Sequence, residues 1–352
     1  MNDIGEGTIR RIDWTELTPI VLLLRVFNIA LGVRVLAWAM IGLWSTLLLE
    51  SVSGISFLTN LVKQDSATVL NLGRSAIILN NIWNTRFVIQ QEPLQGLWLI
   101  AVLPIWIICG GMICRIVAVR LTIDESESTK NLLLFFRKRG MSFVSAHFLL
   151  ILGILLCFLP VLFAGRLLAV PVLNYVVAVL FPLPILFAFF TVLLALGLAV
   201  GFMLLFAAVS ADGSDGYDAI SRMFSYIFQR PLHYVFYWIC CGVLGGLGYY
   251  LVFFVFTYPV LLLCGRFADV PCDSFCVVEF FVKFWLTFLC SLQVAYVFAW
   301  FWTSSVAIYL LLRRSVDATP FNEVYRVSSP TVRTLPTIKP DVQGAPEIVS
   351  DH

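Results

Sequence analysis

Charge is what this sequence has least of. Only 12% of its 352 residues are Asp, Glu, Lys or Arg, against 60% hydrophobic, and the mean hydropathy is +0.94. Soluble globular domains do not have this balance, so the chain reads as a polytopic membrane protein. The scarcity is uneven. The apolar segments between Leu94 and Leu312 hold no Asp or Glu, whereas proton- and sodium-coupled carriers use carboxylates at membrane depth. The polar residues expected inside them are uncharged: Thr191, Thr287, Ser291, Gln293, Thr303, Ser304 and Ser305.

Other absences exclude other chemistry. There is no P-loop, HExxH, GxSxG or Rossmann fingerprint, so no catalytic residue and no cofactor is expected. No basic block interleaved with aromatics is present, which sets nucleic acid aside as a partner. His147 and His233 are the internal histidines, on different segments and without acidic or thiol neighbours at ligand spacing, so no metal site is expected. The first twenty residues carry Asp3, Glu6, Arg10, Arg11, Asp13 and Glu16, unlike a cleavable signal peptide. Seven of the nine cysteines fall in or at the ends of apolar segments and behave as small hydrophobes. Cys272 and Cys276 sit in a loop and are a candidate disulfide pair.

What is present is a series of apolar runs long enough for a bilayer core of ~30 Å. Six spans are expected, at about 33–49, 94–119, 144–162, 184–209, 232–264 and 284–312. The fold class is therefore all-α, a transmembrane helical bundle over residues 33–314. Residues 1–32 form an N-terminal region whose stretch from Leu17 to Ala30 is expected as an interfacial helix. Residues 315–352 form a tail expected to be disordered. Within that tail TPFNEVY, Thr319 to Tyr325, alone offers anchors for a partner. Glu50 to Pro93 is too polar to span and is expected to hold short surface helices. Asn174 to Pro184, broken by proline, is either a re-entrant lead-in to span four or part of a seventh crossing.

Lys and Arg set the orientation. Fourteen fall on the N-terminal tail, the Arg120 to Arg139 loop, the 210–231 stretch and the C-terminal tail, against six on the opposite loops. The positive-inside rule then places both termini in the cytoplasm.

Ser210 to Pro231 is the most structured polar interruption, an elbow between spans four and five. Asp215 stands where a helix N-cap belongs, Asp218 follows at the capping-box position and pairs at i,i+4 with Arg222, and Pro231 ends the run. Tyr217, Ile220, Phe224, Ile227 and Phe228 repeat at helical spacing, so the elbow is expected to lie in the membrane surface. Arg230 and His233 at its end are candidates for a lipid phosphate. Ile123 to Phe143 and Thr15 to Arg34 follow the same plan more loosely, so the chain can be written as three units of elbow helix and transmembrane hairpin. Gly197 and Gly201 on span four, and Gly242 and Gly246 on span five, lie at similar depth and are expected to let those spans pack closely. Ser291, Gln293 and Ser304 on span six form a candidate polar pathway.

The stretch DGSDGYDAISRMFSYIFQRPLHYVFY, with GMICRIVAV and IYLLLRRSVDATPFNEVY, resembles a group of multi-pass bacterial inner-membrane proteins to which no activity is assigned. The resemblance covers spans two to six and implies fold and bacterial inner-membrane location only. The function expected is a non-enzymatic scaffold or accessory subunit of a membrane complex, associated with lipid and with a protein partner through the elbows or tail. The alternative is a channel or permease for an uncharged or lipid-like solute. A lipid-modifying enzyme using Asp212, Asp215 and Asp218 ranks third.

Overall fold

The computed structural model describes residues 21–53, 93–267, 277–326, 337–340 and 346–349. The described chain is an all-α bundle containing six helices long and apolar enough to cross a membrane. In order the helices are α1 (Val21–Ala30), α2 (Val33–Ser53), α3 (Pro93–Thr122), α4 (Thr129–Leu167), α5 (Leu173–Val179), α6 (Pro182–Asp212), α7 (Gly216–Gln229), α8 (Pro231–Phe267) and α9 (Val277–Asp317). Spans one to six are α2, α3, α4, α6, α8 and α9. The Glu50 to Pro93 connection, apart from its first residues, and the Cys272/Cys276 pair lie outside the described residues.

The core is aromatic and notched by glycine. Trp106 of α3 stacks on Phe298 of α9 with ring centroids 4.3 Å apart, and Trp302 packs against Phe206 of α6 at 4.5 Å. This approach depends on Gly110, because a Cβ there would come within 2.7 Å of the Trp302 ring. Inside lipid there is no hydrophobic drive between helices, so such close van der Waals contact supplies the cohesion.

Several expectations are corrected here. Helix α1 is more than a surface helix laid beside the bundle: Leu22, Leu23, Val26, Ile29 and Ala30 are buried, and the helix packs against α9, α8 and α3. Phe27 meets Trp300 edge-on at 6.4 Å, while Arg25 extends to Asp124 at 2.8 Å. The second elbow is no separate helix. Ser128 caps the N-terminus of α4 by accepting from the Asn131 amide, and α4 then runs 39 residues without a break. At ~1.5 Å per residue that is about 58 Å, roughly twice a ~30 Å bilayer core. Of the three units, the first and third open on a separate short helix, α1 and α7, and the second does not. Asn174 to Pro184 makes the short helix α5 and a proline-started entry to α6, with Val172 at φ 78° marking the turn. Seven helical residues do not make a seventh crossing.

The glycine pairing is also corrected. Gly197 faces Phe224, and Gly201 faces Met223 and Ile227, so the notch on α6 receives α7 and not α8. Gly242 and Gly246 have open space where a Cβ would stand. Direct contact between α6 and α8 is instead made by Tyr234, whose hydroxyl donates to the Val200 carbonyl at 2.5 Å. The elbow face differs accordingly: Gly216, Ala219, Met223 and Tyr226 are its buried residues, while Tyr217 and Phe228 are exposed.

Gly201→Leu is expected to force α7 off its seat and cost about 1–3 kcal/mol, the usual penalty for overpacking. Gly242→Ala, filling open space in a helix interior, is expected to be neutral or to stabilise by about 0.5–1 kcal/mol. Unfolding by SDS titration in mixed micelles measures both.

Candidate functional site

The elbow folds as its local signals direct. Helix α6 ends at Gly213, held at φ 64° in the left-handed conformation, its amide donating to Val209. A residue with a Cβ would be strained there and would collide with the Tyr325 ring. Two residues later Asp215 caps α7, its carboxylate accepting from the Asp218 amide at 2.9 Å. Asp218 then receives Arg222 Nε on both oxygens at 3.0 Å.

Around this turn the structure builds a polar network that joins residues from across the chain. Asp212, the last residue of α6, is the hub. One carboxylate oxygen accepts from Arg313 Nη1; the other accepts from Arg222 Nη1 at 2.8 Å and from the Tyr309 hydroxyl at 2.5 Å. Arg313 is 3% exposed and Asp212 12%, a burial that ions tolerate only when paired and hydrogen-bonded. Asp212, Asp218, Arg222 and Arg313 together are neutral. Tyr226 of α7 donates to Asp317 at the end of α9, its ring 5.5 Å from that of Tyr309.

A second ion pair lies beside the first. Arg115 is 1% exposed, clasps both Glu127 oxygens at 3.0 Å, donates to the Ser210 carbonyl at 3.0 Å and lies 4.3 Å above the Phe135 ring. It corrects the expectation that polar residues within the spans are uncharged.

Burial would lower the Arg222 pKa, but the carboxylates of Asp218 and Asp212 outweigh it and move it upward. Burial, with the bond to Asp317, raises that of Tyr226. A folded value above the usual ~10 means that Tyr226's contribution to stability is complete below about pH 10 and is lost as pH rises through the folded value.

The tail closes the network from below, against the expectation of disorder from Ser315 onward. Helix α9 continues to Asp317, Ala318 reverses the chain at φ 54°, and residues 319–326 fold back. Arg313 Nη2 donates to the carbonyls of Glu323 at 2.8 Å and Pro320 at 3.3 Å. The Tyr325 amide donates to Ala211 at 2.8 Å. Further on, Thr337–Pro340 and Pro346–Val349 pair as antiparallel strands, Ile338 opposite Ile348.

The remaining candidates are scattered. Arg230 and His233 are exposed, and His233 sits 6.3 Å from the Tyr237 ring. Ser291, Gln293 and Ser304 are all buried but face three different neighbours. Ser291 donates to Phe288 at 2.7 Å and accepts from Trp44 at 3.2 Å, Gln293 donates to Thr257 at 2.7 Å, and Ser304 returns to the Trp300 carbonyl at 2.7 Å. Asp212, Asp215 and Asp218 do not converge on a common point: Arg222 lies between the first and third, and the second turns to the backbone. Among the described residues no three His, Cys, Asp or Glu side chains gather as a metal-ligand set. His147 is buried, with Nδ1 on the Phe143 carbonyl at 2.7 Å.

Sequence reading missed Arg115, Arg313, Tyr309 and Tyr226 as members of one site. The available signal was Arg115 itself, a cation inside an apolar run.

Asp212→Ala strands the buried Arg313 and is expected to cost about 3 kcal/mol. Asp218→Ala, removing an i,i+4 pair at a half-exposed position, is expected to cost about 0.5 kcal/mol. The ratio of the two in SDS-titration unfolding checks that Asp212 is the hub.

No family model, no curated protein and no solved structure matches the chain.

Proposed function

We propose that this multi-pass membrane protein is a non-enzymatic scaffold or accessory subunit of a membrane complex, residing in a bacterial inner membrane with both termini cytoplasmic. The observation that carries this reading is the Asp212 network. It ties α6, α7 and α9 together at the end of the bundle where the tail folds back and where Arg139 and Arg314 meet its aromatic rings. Rigid elements that present a fixed surface suit a docking role. Asp212 receives three side-chain donors, which suits a carboxylate that holds the fold.

The polar groups of span six support the same reading over solute passage. Thr303, Ser304 and Ser305 donate to carbonyls of their own helix, and Gln293 is paired with Thr257. Side chains whose hydrogen bonds close within the bundle act as packing elements. The exposed apolar faces of α4 and α8 support lipid association, and the exposed Arg230 and His233 offer donors to headgroups.

Native mass measurement of the protein gently extracted from its own membrane tests the proposal. A stoichiometric protein partner is expected. Recovery of the protein alone, together with solute flux in reconstituted vesicles that falls on Gln293→Leu, would overturn it.

A further inference from the structure

The stretch from Pro320 to Tyr325 is held in a way that differs from the rest of the bundle. Its bonds run through the peptide backbone. Arg313 donates to the carbonyls of Pro320 and Glu323, and the Tyr325 amide donates to the Ala211 carbonyl. Two aromatic side chains four positions apart supply the rest. Phe321 lies 4.6 Å from the Arg314 guanidinium carbon, and Tyr325 sits over Gly213, 6.2 Å from the Phe135 ring centroid and 5.1 Å from the Arg139 guanidinium carbon. Backbone bonds with pockets for spaced side chains are how grooves read extended peptides.

We propose that Ala211–Gly213, Phe135, Arg139, Arg313 and Arg314 form a peptide-binding groove, and that Pro320–Tyr325 is a displaceable strap filling it from within. The partner that replaces the strap is a segment that makes the same turn, closed in the strap by the Glu323 amide on the Pro320 carbonyl at 3.4 Å, and carries aromatic side chains four residues apart. The groove and the strap stand on the contacts above; the statement that a partner uses the groove rests on the scaffold reading.

Three features make the strap able to leave. Asn322, Glu323 and Arg326 are exposed, and Arg313, which donates to two strap carbonyls, keeps its charge partner in Asp212. Its entry is strained, because Ala318 is a non-glycine residue at positive φ. Removing it uncovers Arg313 without breaking the Asp212 contact, so the bundle persists when the groove empties.

Hydrogen exchange on the full-length protein in lipid nanodiscs tests the strap, comparing wild type with Tyr325→Ala. Amides of 321–326 are expected to exchange at least about tenfold faster than those of 300–312, through an opening that spares the bundle. In the variant they are expected to exchange about tenfold faster again, with 300–312 unchanged. Strap amides that open only together with 300–312, or that ignore the substitution, would overturn the strap.

Partner retention in gentle extraction separates the two claims. More partner on Tyr325→Ala than on wild type, shielding 210–214 from exchange, supports the groove. Equal partner on both forms overturns the occlusion and leaves the scaffold reading intact. No partner on either form overturns the scaffold reading, while the exchange result still decides the strap.

Discussion

The pairing of Asp212 with Arg313 is the constraint on which the rest of this structure depends. Two opposite charges at the end of a hydrophobic bundle are expensive to desolvate, and neither is tolerated alone. Because one is the last residue of α6 and the other stands a turn before the end of α9, the pair fixes where those two helices stop relative to each other. The turn after Asp212 must then be tight, which Gly213 permits. Helix α7 must start close by and send Arg222 back to the same carboxylate. Tyr309 approaches from α9, and the tail returns because Arg313 still has donors that need acceptors.

The membrane-spanning part follows another rule. There, close approach replaces charge: aromatic rings sit where glycine leaves room, as Trp302 does over Gly110 and Trp300 over Gly245. The hydroxyls of Thr303, Ser304 and Ser305 in α9 donate to carbonyls of their own helix. The molecule therefore divides into an apolar body held by shape and an ionic end held by directed bonds, with α7 seated across the boundary in the Gly197/Gly201 notch.

Much of this was legible in the chain. The number of spans comes from hydropathy and length, which a bilayer imposes without reference to tertiary contacts. The cap at Asp215 and the Asp218–Arg222 pair are local in sequence and were read from spacing alone. What could not be read is which apolar face meets lipid and which meets protein, since in a membrane both surfaces favour the same residues. That is why the buried face of α1 went unread and why Gly242 and Gly246 looked like a contact. The Asp212 network was hidden for a different reason. Its members are separated by up to about a hundred positions, and each alone has an ordinary explanation as a cap, a topological charge or an interfacial tyrosine.

The burial of α1 has a consequence for how the chain is assembled. Its partners are α3, α8 and α9, and the last two are made long after it. During synthesis Leu22, Leu23, Val26 and Ile29 therefore have no completed seat until the final span has entered the bilayer. Its contacts with α8 and α9 can form only after those helices are made. Contacts between such distant parts of a chain are slow to form, so the first segment to be made is among the last to reach its place.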